Sequence, residues 1–227
     1  MQRRYSFWLV LGAFCSIRAG RGDDGFDHAP LLIRHLPLHA EATLHENGNP
    51  DASDAAERAL ASGAQEAGID FGGAKGMLIF GGGREHDFLL TSVHYGWVFS
   101  ELMGEDRWYQ GNWELRAEIF GGKQIAPDNG YILGALPVLR YNFLPAGHWS
   151  PFVDLGSGLA LTDIGAPDLS RSVQLNFQLG TGVQYFFSEN AALSVQYRLA
   201  HVSNGRTQSP DPGLNTNMFM VGMNWFF

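Results

Sequence analysis

The stretch Ser172–Ser188, SVQLNFQLGTGVQYFFS, decides the fold because apolar and polar residues alternate along nearly all of it. Its odd positions are mostly apolar, whereas its even positions are mainly Gln, Asn, Ser and Gly. A period of two places the two sets on opposite faces of a β-strand. Strands of soluble proteins average about 5–6 residues, whereas a strand that crosses a membrane at a tilt needs about 9–11. The length of this segment therefore favours a transmembrane strand.

The same alternation recurs along most of the chain. Seven further strands are predicted near residues 69–80, 86–100, 112–122, 130–144, 150–163, 191–203 and 215–227. The total is even, as a single-chain outer-membrane barrel requires. The last segment ends in Trp225-Phe226-Phe227, which is typical of the aromatic girdle of such barrels. The sequence therefore predicts an all-β fold, an eight-stranded antiparallel transmembrane β-barrel.

The third segment shows which face points inward. Trp113 and Leu115 lie on one face, whereas Glu114, Arg116 and Glu118 lie on the other. Three charged residues on one face are costly in an apolar core, but they suit a narrow polar lumen. We expect them to meet opposite charges from other strands there, namely Arg140, Asp154 and Arg198.

Composition narrows the function classes. Charged residues make up 17% of the chain and 29 of its 227 residues are Gly, whereas soluble domains carry about 25% charged residues. The net charge of −8 and the pI of about 5.4 argue against nucleic acid as a partner. A mean hydropathy of −0.11 excludes a bundle of transmembrane helices. A transmembrane β-barrel is compatible with this net charge and with this mean hydropathy.

The N-terminal third differs from the rest of the chain. Residues 1–19 combine a basic start with an apolar run that contains Cys15, the one cysteine, and this pattern predicts a signal peptide; an uncleaved anchor is the alternative. Residues 20–66 are interpreted as a flexible extension with a short Ala-rich helix, and residues 67–227 as the barrel. The extension contains four histidines, His28, His35, His39 and His45. Their spacings of 7, 4 and 6 residues lack the paired pattern of a zinc site. We expect neither a metal nor a cofactor.

Three polar residues at the end of the seventh hairpin are candidates for catalysis. His201 and Ser203 share the odd, outward parity of the apolar residues in strand seven, and Asn215 has the same parity in strand eight. Unsatisfied polar groups are expensive against lipid. One interpretation is that they meet water at the headgroups. The other is a triad with Ser203 as nucleophile, His201 as general base and Asn215 holding the imidazole.

At these residues the sequence resembles the PagL-type lipid A 3-O-deacylase family of small outer-membrane barrels. The resemblance covers roughly residues 69–227, including SPFVDLGSGLALTD, FQLGTGVQYFFS and HVSNG followed by PGLN. It implies a carboxylic ester hydrolase in the bacterial outer membrane that acts on lipid A of the outer leaflet, part of lipopolysaccharide. The family's H-x-S-N motif falls on His201 and Ser203. Its orienting acid is a Glu, and this chain has Asn215 there.

Two other functions stay open at this point. The Ser-His-Asn set also resembles outer-membrane phospholipase A, which needs calcium, although about 160 residues cannot supply its twelve strands. The third reading is a structural barrel with an inert site.

Asn204 and Gly205 are the candidate oxyanion donors. The oligomeric state is left open, a homodimer included.

Overall fold

The computed structural model describes residues 52–79, 83–144 and 147–227 as one short helix followed by eight strands. Each strand pairs antiparallel with the next, and β1 also pairs with β8, so the sheet closes into a barrel. This confirms the predicted fold. The elements are α1 Ala52–Ala59, β1 Gln65–Gly76, β2 Asp87–Val98, β3 Gly111–Ala126, β4 Gly130–Phe143, β5 Trp149–Thr162, β6 Val173–Ser188, β7 Ala191–Ser203 and β8 Leu214–Phe226.

Alternation along each strand separates a lumen face from a lipid face. In β3, Glu114 is fully buried in the lumen, whereas Leu115 on the other face is 47% exposed. The same two-residue burial pattern runs through β2, β4 and β6. A belt of exposed apolar side chains follows from it, as expected of a barrel that faces lipid. No helix of the described residues is long and apolar enough to cross a membrane.

Paired charges fill one part of the lumen. The Arg198 guanidinium donates to both oxygens of Glu118 at 2.9 Å, and Arg140 Nε donates to Asp154 at 2.8 Å. Arg116 Nε lies 2.8 Å from Glu66 and 3.7 Å from Glu114. Buried charges are tolerated when they are paired in this way. The rest of the lumen holds an apolar cluster that includes Phe88, Leu90, Phe120, Val202 and Met218.

The two ends of the barrel differ. One end, here called the terminal end, carries α1 and the C-terminus. There Ala56 and Leu60 pack with Phe186 and Phe226. The other end, here called the loop end, carries the β1–β2, β3–β4, β5–β6 and β7–β8 connections.

Residues 52–66, which the sequence assigned to the extension, contain α1 and the first two residues of β1. The predicted boundary at residue 67 therefore falls inside β1. The predicted Ala-rich helix is present as α1. The predicted signal peptide, the rest of the extension and its four histidines lie outside the described residues.

Candidate active site

The register of β7 and β8 brings the three candidate side chains together at the loop end. His201 pairs directly with Asn215 across the two strands, and Ser203 follows His201 by two residues on the same face. His201 Nε2 lies 3.0 Å from Ser203 Oγ, and His201 Nδ1 lies 2.7 Å from Asn215 Oδ1. Both distances are those of hydrogen bonds.

The direction of these hydrogen bonds follows from the chemistry of the groups. Asn215 Oδ1 is an acceptor only, so Nδ1 of His201 must carry the hydrogen and donate it. The other ring nitrogen, Nε2, then has a free lone pair that accepts the hydroxyl hydrogen of Ser203. This is the arrangement that a general base and a serine nucleophile need.

Two of the three side chains are buried although they belong to the lipid face. Ser203 is 8% exposed and Asn215 is 4% exposed, whereas Tyr197, farther along the same face of β7, is 41% exposed. The β1–β2 connection covers Asn215, whose Nδ2 donates to the carbonyl oxygen of Ile79 at 2.7 Å. His201 is half-buried. The three polar groups are thus satisfied by one another and by the loops.

The β7–β8 loop is braced by polar side chains of its own and by Ser170 of the β5–β6 connection. The Asn204 side chain donates to Ser170 Oγ at 2.8 Å and to the Gln208 carbonyl at 2.9 Å, and its oxygen accepts from Thr207 N. Asp211 accepts from the backbone amides of Asn204 and Arg206 at 3.2 and 2.9 Å. Such side-chain-to-backbone bonds are characteristic of tight turns.

This bracing bears on the predicted oxyanion donors. Both the side-chain and the backbone N–H groups of Asn204 already donate to groups of this loop and of the β5–β6 connection. The Gly205 amide has no hydrogen-bond partner within the part of the chain that the structure describes. The oxyanion role of both residues stays a prediction, and of the two Gly205 is the residue whose amide is uncommitted among the described residues.

Gly213 lies directly against the imidazole. It has a φ of +77°, a left-handed conformation that glycine adopts without strain. A Cβ at this position would lie 2.9 Å from His201 Cε1 and 3.5 Å from Ser203 Cβ. No other residue fits between the loop and the ring without displacing one of them.

Apolar side chains of β6 border the serine. Leu175 pairs with Ser203 and Phe177 pairs with His201 across the β6–β7 ladder. Leu175 and Phe177 are 40% and 47% exposed on the lipid face. Ser203 therefore lies between a polar loop region and an apolar strip.

An ion cluster joins three loop-end connections near the site. Arg84 Nη2 lies 2.6 Å from Asp168 and its Nη1 lies 3.1 Å from Asp128. His86 is 1% exposed, and its Nε2 lies 3.3 Å from Asp168. Burial lowers the pKa of His86 below its ordinary value, so the ring is neutral at pH 7 and its Nδ1 accepts from Gln124 at 3.1 Å.

Sequence reasoning missed Asp211, Gly213 and the contribution of Ile79. Asp-Pro-Gly at 211–213 is a recognisable turn signal, which would have indicated the first two. Ile79 acts through a backbone oxygen, for which the sequence carries no signal. Within the described residues, no group of three His, Cys, Asp or Glu side chains is arranged to hold a metal ion.

Comparisons with known proteins agree with the fold and suggest a chemistry. The family model for "Lipid A 3-O-deacylase (PagL)" matches residues 90–224. No curated protein matches the chain. Neisserial surface protein A, NspA, is 16% identical with a TM-score of 0.53, covering 73% of this chain and 100% of its own, a likeness that shows the fold alone.

Two further solved structures are similar at lower scores. The outer membrane enzyme PagL is 18% identical with a TM-score of 0.49, covering 69% of this chain and 97% of its own. Ail, the attachment invasion locus protein of Yersinia pestis, is 14% identical with a TM-score of 0.45, covering 73% and 99%.

Proposed function

Because the chain belongs to the lipid A 3-O-deacylase (PagL) family, we propose that it hydrolyses the ester that links the 3-O acyl chain to lipid A. The family places it in the bacterial outer membrane as a β-barrel hydrolase. In this proposal Ser203 is the nucleophile, His201 the general base and Asn215 the residue that orients the imidazole.

The proposed reaction has two stages. His201 Nε2 takes the hydroxyl proton as Ser203 Oγ bonds to the ester carbonyl carbon, and the carbonyl electron pair moves to its oxygen. Collapse of this intermediate breaks the bond to the sugar 3-oxygen, which receives the proton from His201 and leaves as an alcohol. Water, deprotonated by His201, then attacks the acyl carbon. Collapse of this second intermediate breaks the bond to Ser203 Oγ, which takes the proton back from His201, and releases the 3-hydroxy fatty acid.

The observation that carries the proposal is the unbroken chain from Ser203 Oγ through both ring nitrogens of His201 to Asn215, with links of 3.0 and 2.7 Å. It lies on the lipid face, where a serine and a histidine have no structural need to be. If the terminal end, which carries α1 and the C-terminus, faces the periplasm, the loop end meets the outer leaflet, where lipid A is found. The exposed Leu175 and Phe177 are then available to an acyl chain.

Because Asn215 replaces a carboxylate, we expect ester hydrolysis to be slower than in a chain with an acidic residue at this position. A neutral amide stabilises the imidazolium formed during attack less than a carboxylate does. In a Ser-His-Asp protease, an Asp-to-Asn change lowers turnover by about 10⁴, largely through the wrong tautomer. We expect a smaller loss here, because the Asn215 oxygen faces Nδ1 and so selects the productive tautomer.

A second candidate function is hydrolysis of phospholipids with calcium, as in an outer-membrane phospholipase. The observation that favours it is the side-chain set itself, which is Ser-His-Asn rather than Ser-His-Glu. The closed eight-stranded barrel argues against it, because that enzyme family has twelve strands.

The test is hydrolysis by the purified full chain in detergent, with lipid A and with a phospholipid as separate substrates. We expect release of 3-hydroxy fatty acid from lipid A, unaffected by a chelator. Ser203→Ala and His201→Ala should both abolish it. Ser157→Ala is the matched control, because Ser157 also lies exposed on the lipid face of β5, and it should retain full activity.

Other outcomes would separate the alternatives. Phospholipid hydrolysis that a chelator stops would favour the phospholipase. Absence of hydrolysis on either lipid would favour the inert barrel. Lipid A hydrolysis that survives Ser203→Ala would exclude the proposed nucleophile.

A further inference from the structure

We propose that the backbone carbonyl of Ile79, in the β1–β2 connection, is a positioning group that fixes the side-chain amide of Asn215 and thereby the tautomer of His201. The inference rests on the proposed function of the triad and adds to it a backbone group from the β1–β2 connection. The contact that motivates it is the hydrogen bond from Asn215 Nδ2 to the Ile79 oxygen at 2.7 Å.

An asparagine in this role has a problem that a carboxylate does not have. Either oxygen of a carboxylate accepts a hydrogen bond, so rotation by 180° changes nothing. An amide has one accepting oxygen and one donating nitrogen. If the Asn215 amide turned over, its NH₂ would face His201 Nδ1, and the ring would have to place its hydrogen on Nε2. That nitrogen then could not accept the Ser203 proton.

The Ile79 carbonyl excludes the turned-over amide. In the observed orientation, the amide donates to Ile79 and accepts from His201 at the same time, with both distances at 2.7 Å. The reverse orientation would place Asn215 Oδ1 against the Ile79 oxygen, two acceptors at hydrogen-bond distance. Asn215 is only 4% exposed, so bulk water cannot satisfy the misplaced groups, and leaving them unpaired is costly.

Contacts of Gly76 and Met77, at the end of β1, restrain the chain that leads to Ile79. Met77 N donates to the backbone carbonyl of Asn215 at 2.8 Å, which continues the β1–β8 ladder beyond β1. Gly76 N donates to Asp87 at 3.0 Å. A Cβ on Gly76 would lie only 2.3 Å from His86 N, so the end of β1 packs on the backbone of the same connection.

The far side of this connection is anchored as well. His86 is buried between Gln124 and Asp168, and Arg84 binds Asp168 at 2.6 Å. The end of β1 therefore rests on a segment that is tied to β3 and to the β5–β6 connection. These contacts restrain the chain up to Met77, two residues before the Ile79 carbonyl.

The experiment compares backbone freedom at residue 79 in two backgrounds. Ile79→Ala removes most of the side chain and keeps an ordinary backbone, whereas Ile79→Gly also loosens the backbone. Each is made in the wild-type chain and together with Asn215→Asp. The full chain is refolded in detergent with ¹⁵N-labelled histidine, and the ¹⁵N shifts of His201 report which ring nitrogen carries the hydrogen. Hydrolysis of lipid A gives kcat and KM for the same samples.

We expect the wild type and Ile79→Ala to show His201 with hydrogen on Nδ1. Ile79→Gly should show a mixture of tautomers and a kcat about two- to fivefold lower, from the backbone freedom that glycine adds, with KM near that of Ile79→Ala. In the Asn215→Asp background, Ile79→Gly should leave the tautomer unchanged, because either carboxylate oxygen accepts from Nδ1. Values of kcat are compared only between chains that keep Asn215, because in Asn215→Asp a carboxylate oxygen replaces the donor that faces the Ile79 carbonyl.

Three results would overturn the inference. One is a single Nδ1–H tautomer in Ile79→Gly, and another is an equal effect of Ile79→Ala. The third is an equal change of tautomer on Ile79→Gly in the Asn215→Asp background. The tautomer is read without substrate, so a wild type that fixes the tautomer but leaves lipid A intact would contradict the proposed function and support this inference.

Discussion

Replacing Gly213 with alanine is expected to lower turnover strongly while leaving the barrel folded. The new Cβ would lie 2.9 Å from His201 Cε1, whereas non-bonded carbon atoms prefer about 3.5–4.0 Å. The ring or the loop must therefore retreat by roughly 0.6 Å or more. The hydrogen bond from Ser203 Oγ to His201 Nε2, now 3.0 Å, would lengthen or bend.

The size of the effect follows from this displacement. A misplacement of about 1 Å at a catalytic group costs about 100-fold, so we expect kcat to fall about 10- to 100-fold with a smaller change in KM. The alanine would also adopt a φ near +77°, which costs about 1–2 kcal/mol of stability. The assay is lipid A hydrolysis in detergent, paired with urea unfolding of the barrel in lipid vesicles.

Gly147→Ala is the matched control. Gly147 also has a positive φ, +63°, but a Cβ there would meet nothing within 4 Å, so this variant has the backbone strain without the contact. It should lose stability to a similar extent and keep its activity. Full activity in Gly213→Ala, or an equal loss of activity in Gly147→Ala, would refute the reasoning.

Three further predictions concern the triad, the lumen and the helix. Asn215→Ala should lower kcat about 10- to 100-fold but retain more activity than Ser203→Ala; equal loss in kinetic assays would contradict an orienting role. Arg198→Ala leaves the buried Glu118 carboxylate without its main partner and should cost about 3–5 kcal/mol in urea unfolding, whereas the exposed Arg107→Ala should cost little. Ala56→Asp places a charge in the fully buried contact of α1 and should make the segment before β1 sensitive to protease in the folded barrel. The exposed Glu57→Ala should not, and equal protection in both variants would show that α1 does not depend on this contact.

The fold could be predicted from the sequence because alternation has a direct physical consequence in a barrel. Lipid selects apolar residues such as Leu115 on one face, and the narrow lumen admits Glu114 only with a charged partner. The alternation along each strand therefore shows which of its faces points to the lumen and which to the lipid. The start of β1 could not be read in this way, because Gln65 and Glu66 follow an Ala-rich helix and look like its continuation. Glu66 is in fact the lumen partner of Arg116.

The candidate site was predictable in part for the same reason. Parity places His201, Ser203 and Asn215 on one face, and two of them are only two residues apart. Parity does not give the register between β7 and β8, since a loop of unknown shape separates them, and the direct pairing of His201 with Asn215 had to be observed. The Ile79 carbonyl lies 136 residues from Asn215 in sequence. Every residue has a backbone carbonyl, so the sequence does not indicate which one contacts the site.

The most direct test of the central claim is mass spectrometry of lipid A from bacteria that express either the wild-type chain or Ser203→Ala at equal levels in the outer membrane. The account predicts that wild-type cells contain lipid A lighter by one 3-hydroxyacyl chain at the 3-position, and that Ser203→Ala cells contain only intact lipid A. Intact lipid A in both strains, or the same loss in both, would contradict it.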